Sequence, residues 1–207
     1  MKKILFAIIL MSPVFVFAQL GVKAGLNFAN VSNAKSINNS SKSGFHAGVF
    51  LAPASKGVIG SRTELIFSRQ GYNYKTGVKT GAVNLDYIMI PQFIAINITK
   101  YFSLHLGAQM AILLNAKVDS SATTTTPMPG YANGIMNLYN RFDYGYAVGA
   151  EVHPVKGLIL GARYNVSLGK VYKSLATGEA PSFTSEDAKN NLIQIFAGWR
   201  FGQSPKK

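Results

Sequence analysis

The chain has no cysteine, one tryptophan in 207 residues, and eight acidic residues against 21 basic ones. Without cysteine there are no disulfides and no thiolate metal ligands, so the fold must hold by packing and polar contacts. No run of eighteen consecutive apolar residues occurs, which removes any transmembrane helix. The longest candidate, Tyr87 to Ile98, is too short and carries Pro91, Gln92 and Asn97. There is also no Gly-x-Ser-x-Gly elbow and no cluster of metal-ligating side chains, and only three histidines. Catalytic, cofactor and metal sites are therefore not expected. The formal charge of +13 comes with no recognisable nucleic-acid-binding motif, so nucleic acid is not an expected partner.

What the chain does have is alternation. Hydrophobic residues make up 48% and aromatics 12%, yet they are spread every second position and not bunched in runs. In the first segment Leu20, Val22, Ala24, Leu26 and Phe28 oppose Lys23, Asn27 and Ala29. In a later one Phe142, Tyr144, Tyr146, Val148 and Ala150 oppose Arg141, Asp143, Ala147 and Glu151. Eight segments are predicted as strands, 20–30, 43–52, 57–69, 82–98, 101–116, 141–153, 157–170 and 190–201, of which the fourth resists the pattern by being apolar on both faces between Asn84 and Pro91. Their connections alternate. Residues 53–56, 99–100 and 154–156 are tight turns, whereas 31–42, 70–81, 117–140 and 171–189 are long and polar. Short turns on one rim and long loops on the other describe an all-β, eight-stranded antiparallel up-and-down transmembrane β-barrel, with turns in the periplasm and loops outside a Gram-negative cell.

The N-terminus agrees with export. Met1-Lys2-Lys3 is basic, Ile4 to Met11 is apolar, and Val16-Phe17-Ala18 ends in a small residue. Residues 1–18 read as a signal peptide cut before Gln19, 19–202 as the barrel, and 203–207 as a short periplasmic tail.

Polar faces carry Lys23, Arg62, Glu64, Asp143, Glu151, Arg163 and Arg200. A mid-bilayer arginine facing lipid costs about 2–4 kcal/mol, so these side chains are expected inside, paired in a lumen charge network. An eight-stranded barrel is too narrow for an open channel and its interior is filled. Tyr144, Tyr146, Tyr164, Trp199 and Phe201 fall on the outward parity and suit a membrane aromatic girdle. Arg69 shares that parity near the outer rim, where it would snorkel toward lipid phosphates. Pro91 lacks an N–H donor and a closed barrel has no edge, so a bulge is expected there. In the third long loop Tyr131, Ile135, Met136, Leu138 and Tyr139 are apolar enough to suggest strand extension above the membrane, with an exposed binding patch as the other reading. Only Ser103 and His105 form a serine–histidine pair on one face; Ser43 and His46 oppose each other, and His153 sits at a turn. A soluble ligand-carrying barrel and an outer-membrane lipid-modifying enzyme are the competing classes.

Several motifs resemble the PorT-like, porin-family outer-membrane β-barrel proteins. They are Gly21-Val22-Lys23-Ala24-Gly25-Leu26-Asn27-Phe28, Arg62-Thr63-Glu64-Leu65-Ile66-Phe67-Ser68-Arg69-Gln70-Gly71, Leu85-Asp86-Tyr87-Ile88-Met89-Ile90-Pro91, Gly161-Ala162-Arg163-Tyr164-Asn165 and Phe196-Ala197-Gly198-Trp199-Arg200-Phe201. The resemblance implies a small barrel with a role in surface structure, adhesion or support of a secretion or surface-assembly complex. The partners it implies are outer-membrane lipid, lipopolysaccharide, the barrel-insertion machinery and surface or secretion-complex proteins. Such barrels often end on an aromatic residue; here Phe201 is followed by six more residues.

Overall fold

Period-two alternation places every second side chain on one side of an extended backbone, and the apolar sets of segments 20–30, 101–116, 141–153, 157–170 and 190–201 turn outward. The computed structural model describes residues 18–34, 37–53, 57–76, 79–120, 135–173, 184–185 and 187–201. They form eight strands, β1 (Ala18–Ser32), β2 (Asn38–Pro53), β3 (Ile59–Thr76), β4 (Lys79–Asn97), β5 (Phe102–Ser120), β6 (Phe142–Val152), β7 (Leu158–Ser167) and β8 (Lys189–Arg200). Each pairs antiparallel with its neighbour and β1 closes on β8, from Gly21 opposite Arg200 to Ser32 opposite Lys189. The predicted signal peptide and C-terminal tail lie outside the described residues, apart from Ala18.

The strands outrun their predicted ends at the loop end of the barrel. Residues 70–81 are not a long loop: β3 runs to Thr76, β4 starts at Lys79, and only Gly77 and Val78 intervene. The 31–42 connection shrinks likewise, to residues 33–37. Alternation continues through the former, with Tyr72, Tyr74, Val83 and Leu85 buried inside while Lys75 and Thr80 face out. What changes is the outward face, which turns from apolar to polar. Strand β4 has 19 residues and β7 only 10, so measured along the tilted strands one wall is roughly 60 Å long and the other roughly 33 Å.

The bulge expected at Pro91 is elsewhere. Pro91 pairs in register with Gln109, and the β3–β4 ladder passes over Glu64–Leu65 and Ile90–Pro91 without slipping, which accommodates the missing N–H. The β4–β5 register shifts instead between Asp86 and Tyr87, where Leu114 is the extra residue. Leu114 and Asn115 therefore both face out, and Ala116 turns inward against its simple parity. A second shift lies between Ser41 and His46 on β2. Opposite it Gly71 adopts φ +143°, and a Cβ there would lie 1.9 Å from the Val83 carbonyl oxygen.

Candidate functional site

The interior is built in levels. Near the turn end Glu64 is the hub. It accepts from Arg163 through both carboxylate oxygens, at 2.8 and 3.0 Å, and from Lys23 Nζ at 2.9 Å. Arg62 makes a two-pronged pair with Glu151, one prong at 2.9 Å, and reaches Glu64 at 3.6 Å. Aromatic faces complete the cations' shells. Lys23 lies 4.0 Å from the Phe196 ring centre, Arg163 4.0 Å from Phe93, and Arg62 4.6 Å from Phe50. Glycine makes room for these rings, since a Cβ on Gly21 would fall 2.0 Å from Phe50.

Of the seven charges expected in one network, five meet: Lys23, Arg62, Glu64, Glu151 and Arg163. The other two stand apart. Arg200 is half-buried at the turn end with no ion pair among the described residues, because the two glutamates are already taken by Arg62, Arg163 and Lys23. Asp143 sits farther up, bonded to Ser167 and Asn190 and not to a cation. Arg141, expected to face inward, is exposed just before β6 begins.

The middle level is neutral. Asn27 Nδ2 is within hydrogen-bond distance of the Phe45 and Arg69 carbonyls and Ser68 Oγ, while its Oδ1 accepts from His46 Nδ1 at 2.8 Å and Gln194 Nε2 at 3.2 Å. Sequence reasoning put Asn27 on the polar face and His46 only on the face opposite Ser43, without foreseeing this node; inward parity was the available signal. At the loop end Tyr72, Tyr74, Val83, Leu85 and Tyr87 make an apolar core. Over it fold a 3₁₀ turn, Ile135–Leu138, and the segment around Tyr172. Tyr139 bridges to Tyr172 through the backbone, their rings are 4.9 Å apart, and the Tyr72 and Tyr172 hydroxyls bond. Residues 135–139 thus extend no strand and form no exposed patch. They cap the barrel mouth, because Leu138 and Tyr139 bury better against the tyrosines than along a strand. Tyr131 lies outside the described residues.

A family model described as "Outer membrane protein beta-barrel domain" matches residues 16–173. The chain belongs to that family. This outer-membrane barrel is also similar in fold to solved structures. The attachment invasion locus protein Ail of Yersinia pestis superposes with a TM-score of 0.51 at 15% identity, covering 89% of this chain and 99% of that one. Neisserial surface protein A gives 0.49 at 16% identity over 88% and 97%, and OprG of Pseudomonas aeruginosa 0.47 at 8% over 90% and 97%. No curated protein matches the sequence.

The outward face of the outer-membrane barrel is apolar along its membrane span, with Leu26, Ile94, Leu106 and Ile195 each more than half exposed. Two polar side chains on it, Thr63 and Gln92, bond to each other, which spares lipid an unsatisfied donor. The five girdle candidates all face out, but at different heights. Tyr144 and Tyr146 flank the external half, Trp199 and Phe201 the periplasmic end, and Tyr164 lies midway along β7. Arg69 does not reach freely for phosphates. It makes a two-pronged pair with Asp86 at 2.7 and 3.1 Å and lies 5.4 Å from the Phe45 ring centre. Ser103 Oγ is 3.3 Å from His105 Nε2 and 3.1 Å from His153 Nε2, a second histidine that sequence parity did not bring in. Glu151 approaches the same His105 Nε2, at 3.5 Å.

Proposed function

We propose that this outer-membrane barrel is a plugged, non-catalytic surface protein, structural or interactive in role, resembling the PorT-like group. The observation that supports it is an interior filled at both ends, by ion pairs below and by the tyrosine cap above. External lysines, among them Lys75, Lys117, Lys170 and Lys173, face lipopolysaccharide phosphates and any surface or secretion-complex partner. Against an acyl-transfer site stands the geometry at His105. In a serine–histidine–acid relay the serine and the acid use opposite ring nitrogens, and here Ser103 and Glu151 share Nε2. Export by a signal peptide over residues 1–18 and recognition by the insertion machinery belong to the same reading. The soluble carrier is set aside by the family and by the outward apolar band.

The test is reconstitution of the full chain in planar bilayers, with binding of lipopolysaccharide vesicles measured beside it. No steady ionic conductance, together with salt-sensitive vesicle binding that weakens when Lys75, Lys117, Lys170 and Lys173 are replaced by glutamine, is the expected outcome. Stable conductance would overturn the plugged reading. Binding unaffected by salt and by those substitutions would overturn the external-lysine reading.

A further inference from the structure

Three buried carboxylates have a basic partner. Glu64 and Glu151 meet arginines inside the lumen, and Asp86 meets Arg69 at the wall. Asp143 has none within 4.0 Å among the described residues, although it is nine-tenths buried. Its Oδ2 accepts from Ser167 Oγ at 2.7 Å and from Asn190 Nδ2 at 3.3 Å. Its Oδ1 has no hydrogen-bond partner, and neither has Gln109 Oε1 or Asn165 Oδ1. These three residues stand on the adjacent strands β5, β6 and β7, are all more than nine-tenths buried, and line one small cavity of about 10 Å³, room for a single occupant the size of a water molecule.

The open positions are all acceptors. A water molecule brings two hydrogens and would leave one oxygen of the three unserved. A cation takes a lone pair from each oxygen that faces the cavity and requires no donor hydrogen. Oxygen-only ligands select a hard ion over a transition metal. Charge selects its valence. The site carries one negative charge, and the level beneath it already holds Lys23, Arg62 and Arg163 against two glutamates, so a second positive charge would add to a local excess. We propose that this cavity binds one dehydrated monovalent cation of sodium size. Its ligands are the Asp143 carboxylate, the Gln109 and Asn165 amide oxygens and the Ser167 hydroxyl. The ion stands where the other carboxylates have an arginine, and it ties β5, β6 and β7 together at mid-barrel.

The experiment uses the full chain purified in detergent. The temperature at which the compact, SDS-resistant form is lost is measured in sodium, potassium and choline chloride of equal ionic strength. The wild type should survive to a temperature about 5 °C higher in sodium than in choline, saturating with sodium concentration. Asp143→Asn should show one temperature in all three salts, and Gln109→Leu should raise the half-saturating sodium concentration several-fold. Equal temperatures in all three salts for the wild type would overturn the site in favour of water or a protonated carboxyl. If Asp143→Asn does not fold, equilibrium dialysis of the wild type against radioactive sodium decides: about one ion retained per barrel supports the proposal, and none overturns it.

Discussion

The two ends of the interior meet the same demand, a filled lumen, with opposite chemistry. At the periplasmic end five charges and three aromatic rings fill the space. At the external end tyrosines and aliphatic side chains do it, sealed by a turn and a loop that fold inward. The periplasmic half lies within the membrane span, where inward parity is the only place a charge is tolerated. The external half belongs to walls that rise past the bilayer, and its core resembles that of a water-soluble protein. One half should therefore be sensitive to the loss of a charge partner and the other to the loss of volume.

The sharpest test of that difference is Glu64→Ala, which leaves Lys23 and Arg163 buried without their shared carboxylate. It should cost about 3–5 kcal/mol in urea unfolding from vesicles; a loss under about 1 kcal/mol would mean that the aromatic faces carry the cations alone. Leu138→Ala is the matching change in the cap, at about 2–3 kcal/mol. Its signature should be local, with faster proteolysis in the 121–134 connection before the barrel itself unfolds. Alkaline pH should act on the cap through its buried phenols. Burial raises the Tyr139 and Tyr172 phenols above their ordinary 10.0, so the cap's stabilisation is complete below pH 10 and declines above it, where the opened state ionises first. Protease sensitivity of the cap measured from pH 8 to 11 should rise only past 10, and a rise already complete at pH 9 would assign it to another group. The smallest effect is expected of Arg69→Gln. Its ion pair lies on the outside, with the arginine side chain 44% exposed, and should contribute less than about 1 kcal/mol.

Much of this architecture was legible in the sequence. Eight strand-like segments gave the strand number and closed ring, and the exclusion of charge from the lipid face placed Lys23, Arg62, Glu64, Glu151 and Arg163 inside. The upper walls were misread for a physical reason. Above the membrane the outward face meets water, so Asn73, Lys75 and Thr80 replace aliphatics and the segment takes on the composition of a loop while its inward tyrosines keep the strand going. The Leu114 bulge leaves no compositional mark, because one extra aliphatic residue in an aliphatic strand changes parity and nothing else. The cap was hidden too, since apolar residues in a polar connection do not say what they will cover. Asp143 was legible as an inward charge, but parity cannot give distance along the barrel axis, which separates it from the network below.

The way the ion pairs are distributed over the strands bears on how the protein assembles. Lys23 comes from β1, Arg62 and Glu64 from β3, Glu151 from β6 and Arg163 from β7. A sheet that has formed only its first five strands holds Lys23, Arg62 and Glu64 with neither Glu151 nor Arg163, and its inner face is open to the bilayer. No subset short of the seventh strand pairs the full set, so partial sheets have a strong penalty for entering lipid alone. Insertion should then proceed as one cooperative event, with closure of β1 on β8 as the step that commits the chain. Time-resolved insertion into vesicles should show SDS resistance and protection from protease arriving together, with no long-lived half-barrel between.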